Sequence, residues 1–286
     1  MRETQKKGAR RGNAAPPLRG RANPMCAPPG FLTKTARIAL DLLFPPSIYC
    51  MACGNLIDAS RPYALCDACR ERFGWANGHT CGKCGRSLRG DDARTLCADC
   101  ADGGHLFEKG FVCVAYADCR AVLHGFKYGG RAYYGAHIAR VMYDRLLWDG
   151  ALRGEAPGAE LLLPVPMYRK KERKRGYNQA DIAGRQLARL LALPYDGTLL
   201  ARTRDTRVMS SLSGEERGAN VRGAFALARG REDAVRGLRV MLVDDIFTTG
   251  STIDACAEVL LAAGAASVRF IVFAAGADAG ERSGAV

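Results

Sequence analysis

Apolar residues follow two alternating spacings along the chain from residue 110 onward. Short runs of branched and aromatic residues, typical of buried strands, alternate with stretches whose apolar positions recur every three to four residues, typical of helices. This alternation predicts an α/β fold in which helices flank a parallel sheet. The predicted strands are 111–116, 160–165, 238–243 and 267–274, and the predicted helices are 134–148, 178–193 and 253–263.

The first 46 residues carry a different pattern. Residues 1–30 are rich in Arg, Lys, Gly, Ala and Pro and have no apolar period, which predicts a disordered basic tail. Residues 31–46 place apolar side chains at helical spacing, interrupted by Lys34, Arg37 and Asp41, and end at Pro45 and Pro46. This segment is predicted to be an amphipathic helix.

Eight cysteines form two copies of one unit, offset by 31 residues. In each unit two C-x2-C pairs are separated by twelve residues, and Gly54 or Gly85 follows the first pair, where the chain must turn tightly. Four thiolates complete a tetrahedral zinc site with no open position, so we expect two structural zinc ions in a double zinc ribbon at 47–104. Spacing alone permits sequential units or an interleaved arrangement. His79 and His105 are expected at the surface. The predicted ligands are Cys50, Cys53, Cys66, Cys69, Cys81, Cys84, Cys97 and Cys100.

The formal net charge of +13 is concentrated in two places. Residues 1–37 hold nine Lys/Arg and one Glu, and residues 169–175 hold six Lys/Arg and one Glu. The second run follows a predicted strand, so we interpret it as a basic loop facing a ligand; a solvated surface and a nucleic-acid patch are the alternatives. The sequence contains neither a membrane span nor a signal peptide, and a cytoplasmic location is expected.

The segment 240–252 combines a strand, two carboxylates, a hydroxyl-rich loop and the start of a helix. Free N–H groups and the dipole at a helix N-terminus favour phosphate. Two carboxylates beside a bare phosphate would repel it, so they are expected to face hydroxyl groups or a metal ion on the same ligand. This combination predicts a site for a phosphorylated ribose. A simple N-cap is the alternative, and a receiver domain is disfavoured because its acidic pair is not followed directly by such a loop. The residues are Asp244, Asp245, Thr248, Thr249, Gly250, Ser251 and Thr252.

This segment resembles the phosphoribosyl-diphosphate (PRPP) signature of type I phosphoribosyltransferases. Together with the paired cysteine units, FKYGG, PVP, RGYNQA and LARTRDT…ERGANVRGAF, it makes the chain resemble the ComF competence-protein family. The resemblance implies a type I phosphoribosyltransferase-like parallel sheet flanked by helices at 105–286, preceded by the small double zinc ribbon. It also implies that PRPP binds with Mg²⁺, that 164–169 holds the diphosphate and that 202–217 closes over the ligand. The further PRPP-binding residues implied are Lys127, Arg169, Arg202 and Arg217.

The resemblance implies a role in the uptake or handling of single-stranded DNA during natural transformation, with other DNA-uptake proteins as partners. The alternatives are a PRPP-dependent glycosyltransferase with an unknown acceptor and a non-catalytic PRPP-sensing regulator. In a transferase, Asp244 and Asp245 would be the catalytic carboxylates, while His124 and Asp181 are unsupported candidates for a general base. Met209 stands where the family usually has glutamine.

Overall fold

Parallel strands form the centre of the fold. The computed structural model describes residues 48–88, 93–153, 158–205, 221 and 223–276, with only the backbone of 151–153. Its strands are β1 Lys109–Ala115, β2 Leu161–Pro164, β3 Leu200–Arg202, β4 Phe225–Leu227, β5 Arg239–Phe247 and β6 Ser267–Ala275. The main sheet has the order β1-β6-β5-β2 with parallel neighbours throughout, while β3 and β4 form a separate antiparallel pair. The α/β prediction is confirmed.

The helices follow the predicted alternation, with some changes in their bounds. The strand predicted at 238–243 continues to Phe247, so both aspartates belong to β5, and the following helix begins at Ser251 rather than at residue 253. The helices in the described residues are α1 Asp67–Arg72, α2 Ala98–Ala101, α3 Tyr116–Tyr128, α4 Tyr134–Arg153, α5 Arg169–Arg175, α6 Gln179–Leu191 and α7 Ser251–Ala262.

The basic run was predicted to be a loop, and that prediction is wrong: it is the helix α5. It has no buried residue, and it ends at Gly176, whose φ of 92° gives the left-handed conformation that terminates helices. Arg and Lys are good helix formers, and a helix with no buried residue needs no apolar stripe. The sequence therefore showed none of the periodicity by which helices are recognised.

Both faces of the main sheet are buried, because neighbouring residues of a strand point to opposite sides. On β5, Met241 and Val243 pack with α3, α4 and α6, whereas Val240 and Leu242 pack with α7 on the other face. We call these the α4 face and the α7 face. The long branched runs in the sequence reflect this burial on both sides.

The two cysteine units lie on opposite faces of the sheet. Cys50 and Cys69 of the first unit belong to the hydrophobic cluster of the α4 face, and all four cysteines of the second unit belong to the cluster of the α7 face. The chain between the units crosses the outer edge of β1, where the Ala76 N–H donates to the Cys113 carbonyl and the Ala115 N–H to the Gly74 carbonyl, each at 2.9 Å. This crossing covers the edge that β1 would otherwise expose.

The cysteines pair sequentially. Cys50, Cys53, Cys66 and Cys69 form one group, and Cys81, Cys84, Cys97 and Cys100 form the other, with all sulfur atoms of a group within 4.8 Å of one another. This excludes the interleaved arrangement that the spacing left open.

The sulfur geometry fits zinc. A tetrahedral site with Zn–S bonds of about 2.3 Å places its sulfur atoms about 3.8 Å apart. The Sγ atoms of Cys53 and Cys66 are 3.8 Å apart, and those of Cys84 and Cys97 are 3.7 Å apart. Gly54 and Gly85 turn with φ of 78° and 76°, as the sequence predicted. The two units therefore have the form of structural zinc sites.

The described residues belong to one compact unit, Pro46–Val286. The predicted boundary between residues 104 and 105 lies within this unit, and residues on both sides of it share the cluster of the α7 face. The basic tail, the amphipathic helix, Met209 and Arg217 lie outside the described residues. Among the helices that the structure describes, none is both long enough and apolar enough to cross a membrane.

The unequal burial of the two cysteine groups predicts unequal zinc release. Cys53 is exposed and Cys66 half-buried, whereas all four cysteines of the second group are buried. Two zinc ions should be found per chain by elemental analysis, and a chromophoric chelator should remove one in a fast phase and the other in a slow phase. Cys53→Ser should abolish the fast phase alone. Release in one phase, with Cys53→Ser affecting the whole amplitude, would contradict this assignment.

Candidate functional site

A short loop joins β5 to α7 at the carboxyl end of the sheet. The chain leaves β5 after Phe247 and enters α7 at Ser251, with Gly250 as the N-cap in the left-handed conformation. The hydroxyl oxygens of Thr249 and Ser251 are 2.9 Å apart, which places two hydroxyl groups beside the first turn of the helix. The first N–H groups of a helix have no partner within it and carry the positive end of its dipole. The loop therefore presents both side-chain and main-chain donors to an anion.

The structure gives a different reason for Gly250 than the sequence did. The sequence predicted that glycine lets a phosphate approach the backbone. A Cβ atom at Gly250 would lie 2.6 Å from Cε1 of His105, and the φ of 84° disfavours any other residue. The glycine is required because the loop rests on a histidine from the ribbon side, so a larger residue here would disrupt the loop itself.

Asp244 and Asp245 precede this loop on β5 and have separate surroundings. Oδ2 of Asp245 is 2.9 Å from Nζ of Lys127 on α3, and both side chains are largely buried. Oδ1 of Asp244 accepts a hydrogen bond of 2.8 Å from the Asp245 N–H. The structure thus brings Lys127 together with the acidic pair.

The acidic pair carries an electrostatic cost. Removal from water raises the pKa of Asp244 to about 7 and the charge of Asp245 adds to this, while Lys127 and Arg202 act in the opposite direction. For Lys127, burial acts to lower the pKa, but the attraction of Asp245 and Asp244 outweighs it and the pKa is raised. The negative charge at the end of β5 is therefore only partly compensated by the protein.

Of the other predicted ligand residues, the structure describes Arg202 and Arg169. Arg202 on β3 lies over the ring of Phe225, 5.3 Å from its centroid, and burial lowers its pKa. Arg169 is exposed at the start of α5. Lys171 of α5 forms an ion pair of 2.7 Å with Asp205, which ties that helix to the beginning of the segment that the sequence resemblance identifies as closing over the ligand.

The two candidate general bases make contacts with neighbouring side chains of their own surroundings. Asp181 on α6 accepts a hydrogen bond of 2.7 Å from the Tyr195 hydroxyl and forms an ion pair with Arg185. The His124 ring lies 5.3 Å from that of Tyr128 on the same helix. These contacts describe packing and surface roles, and they give neither residue a place in a reaction.

Sequence reasoning missed two residues that contact the loop, Arg86 and His105. His105 was expected at the surface, and that expectation is wrong: its side chain is 9% exposed, and its Nδ1 is 2.7 Å from Oδ2 of Asp254 on α7. Arg86 of the second ribbon is buried and donates a hydrogen bond of 2.6 Å to the Thr248 carbonyl. Both contacts join residues about 150 or more positions apart, so no local pattern could have revealed them.

Two family models match successive parts of the chain. The double zinc ribbon domain matches residues 39–101, which include all eight ribbon cysteines. The phosphoribosyl transferase domain matches residues 182–285, which include the acidic pair and the hydroxyl-rich loop. The sheet and the cysteine sites therefore belong to a phosphoribosyltransferase-like domain preceded by a double zinc ribbon.

Curated relatives match the chain over most of their own length. Competence protein F of Haemophilus influenzae is 30% identical over 213 residues, covering 74% of this chain and 90% of that protein. DNA utilization protein YhgH of Escherichia coli O157:H7 is 30% identical over 221 residues, covering 72% and 94%. Competence protein ComFC of Bacillus subtilis is 23% identical over 218 residues, covering 71% and 80%. Because relatives at 30% identity are matched over 90% or more of their length, the chain belongs to the ComF competence-protein family.

Proposed function

We propose that this protein binds PRPP, or a closely related 5-phosphorylated ribose, at the carboxyl end of β5, and that this binding serves the handling of single-stranded DNA. The observation that carries the proposal is that a carboxylate pair at the end of β5 and the hydroxyl-rich N-terminus of α7 lie on either side of one short loop, all within residues 244–252. A phosphorylated ribose has hydroxyl groups at one end and a phosphate at the other, so its chemistry matches this arrangement.

The loop suits the phosphate. Thr249 and Ser251 supply hydroxyl donors 2.9 Å apart, and the first turn of α7 supplies N–H groups and a favourable dipole. Charge-assisted hydrogen bonds of this kind are about twice as strong as neutral ones. A ligand lacking the phosphate would lose most of these interactions.

The carboxylates suit the ribose and a hard metal ion. Asp244 and Asp245 are acceptors for ribose hydroxyl groups, and their oxygen atoms are the ligand type that Mg²⁺ prefers. Mg²⁺ usually reaches such sites together with substrate phosphates, and the incompletely compensated charge of Asp244 fits that requirement. Bound there, the ion would supply positive charge opposite a diphosphate group.

The DNA part of the proposal rests on the names of the relatives and on one exposed surface. Arg175 of α5 lies over the ring of Tyr128, 5.0 Å from its centroid, and Tyr128 is 68% exposed. Lys170, Arg173 and Lys174 are exposed on the same helix. Basic groups beside exposed aromatic rings favour single strands, because the rings stack on bases and the cations contact phosphates.

A transferase with an unknown acceptor and a non-catalytic PRPP sensor are the alternative functions. Release of diphosphate on addition of candidate acceptors would favour the transferase.

Asp245→Asn should weaken PRPP binding by about ten- to hundredfold, because the change removes a charged acceptor. It should also reduce the dependence of PRPP binding on Mg²⁺. Binding of inorganic phosphate should be unchanged. Thr249→Val combined with Ser251→Ala should instead weaken PRPP, ribose 5-phosphate and phosphate together. Calorimetry measures all three; equal losses across them for Asp245→Asn, or no PRPP binding by the parent, would overturn the proposal.

Asp244→Asn should stabilise the free protein at neutral pH while weakening ribose 5-phosphate binding. The folded-state pKa of about 7 lies above the ordinary 3.8, so the folded protein binds more protons between these values and its free energy of unfolding falls as pH rises through that window. A pKa difference of one unit between the folded and unfolded states corresponds to about 1.4 kcal/mol. After allowance for the partial exposure of Asp244, the free energy of unfolding of the variant should increase by on the order of 2 kcal/mol relative to that of the parent between pH 4 and 7.

The measurement for Asp244→Asn is denaturant unfolding at several pH values. Asp233→Asn removes the same charge from a side chain that is 84% exposed and controls for net charge. If the stability difference between Asp244→Asn and the parent is the same at pH 4 and pH 8, the charged form of Asp244 does not destabilise the folded protein.

Replacing Lys170, Arg173 and Lys174 of α5 with glutamine should weaken single-strand binding with little effect on stability. Glutamine is a good helix former, and exposed substitutions usually change stability by less than about 0.5 kcal/mol each. Loss of three phosphate-contacting charges should also flatten the salt dependence of binding. Fluorescence anisotropy with a labelled oligonucleotide at several salt concentrations tests this, and an unchanged affinity and salt slope would show that α5 is only a solvated surface.

A further inference from the structure

The second ribbon and the segment that directly follows it contact the loop between β5 and α7 at both ends of the loop. Arg86 contacts its first residue, Thr248, and the segment formed by His105 and Leu106 contacts the first turn of α7 through Asp254. These contacts come from the α7 face of the sheet, where the second ribbon lies.

Arg86 fixes the direction of one peptide group. Its side chain is 4% exposed, and its Nη2 donates a hydrogen bond of 2.6 Å to the Thr248 carbonyl. In a trans peptide the carbonyl and the following N–H point in opposite directions. Since Arg86 holds the Thr248 carbonyl toward the ribbon, the Thr249 N–H is directed away from it, toward the side on which an anion would bind.

Arg86 is itself held by both halves of the second cysteine site. Its carbonyl accepts a hydrogen bond of 2.8 Å from the Cys81 N–H, so the first C-x2-C turn fixes its backbone. Its Nη1 is 3.1 Å from Oδ2 of Asp99, which lies between Cys97 and Cys100 in the second C-x2-C pair. The orientation of the guanidinium group therefore depends on the two cysteine pairs being joined.

The other end of the loop rests on His105. Oδ2 of Asp254 is 2.7 Å from the His105 ring nitrogen, and Oδ1 accepts a hydrogen bond of 2.9 Å from the Leu106 N–H. The His105 ring stacks on Phe107 at 4.7 Å, and Phe107 packs in turn against Phe247. The turn at Gly250 thus rests on a layer of packed aromatic rings.

We infer that Arg86 is a positioning residue for the phosphate-binding loop and that the second zinc ribbon is a structural part of the ligand site, whereas the first ribbon is not. This inference rests on the proposed phosphoribosyl binding and adds a residue to it. The first ribbon packs on the opposite face of the sheet with α4. The two zinc sites therefore differ in their consequences for the ligand, although their sequences follow the same spacing.

The test compares two buried arginines in the full-length, zinc-loaded protein. Arg145 on α4 is the matched control: it donates a hydrogen bond of 3.0 Å to the Val112 carbonyl and pairs with Asp149, so it makes the same kinds of contact away from the loop. Arg86→Met and Arg145→Met should both lower the melting temperature. Only Arg86→Met should weaken ribose 5-phosphate binding, by about tenfold or more, because it releases a charge-assisted hydrogen bond at the loop.

Hydrogen exchange gives a readout that needs no ligand. The amides of residues 248–254 should exchange faster in Arg86→Met than in the parent or in Arg145→Met. Arg86→Lys keeps a donor and a charge for Asp99, so it should give an intermediate affinity and intermediate exchange, and it provides the measurement if Arg86→Met does not fold.

The outcomes separate this inference from the proposed function. Unchanged affinity and exchange in Arg86→Met, or equal changes in Arg86→Met and Arg145→Met, would overturn the positioning role. If the parent does not bind ribose 5-phosphate, the proposed ligand is wrong, and the exchange data alone then decide whether Arg86 orders the loop.

Discussion

Burial of both faces of the β5–β6 pair is the constraint on which the rest of this structure depends. A short parallel sheet cannot leave either apolar face in water, so each face needs a covering layer. Helices supply most of that cover, and the two cysteine units complete it on opposite faces. The ribbons are therefore layers of the core as well as metal sites, and the chain between them must cross the edge of β1 to reach both faces.

The same burial sets the properties of the site. At the end of β5 the side chains change from apolar to acidic. Asp244 is removed from water there and lies next to a second carboxylate, that of Asp245. If the proposed function is correct, a ligand that brings hydroxyl donors and a cation would relieve this electrostatic cost, and part of the energy for recognition would be stored in the unliganded protein. Stability and recognition would then oppose each other at this position.

The sequence was most informative where the chemistry is local. The two cysteine groups and the strand–loop–helix connection at 244–252 could be predicted because their spacing is set by a metal ion or by one local connection. The helix α5 was missed because an exposed helix has no apolar period, and the burial of His105 was missed because its partner Asp254 is 149 residues away. The choice between sequential and interleaved cysteine pairs likewise required the three-dimensional arrangement.

Both outer strands of the main sheet are occupied by the chain's own backbone. Residues 74–76 run along β1, and on the other side the Leu162 N–H of β2 donates to the Pro194 carbonyl at 2.9 Å. Within the part of the chain that the structure describes, this leaves a partner little unpaired backbone for strand addition. Recognition of other macromolecules would then fall to side chains on helices and loops, where individual charged and aromatic residues can change during evolution without altering the hydrogen bonds that hold the sheet together.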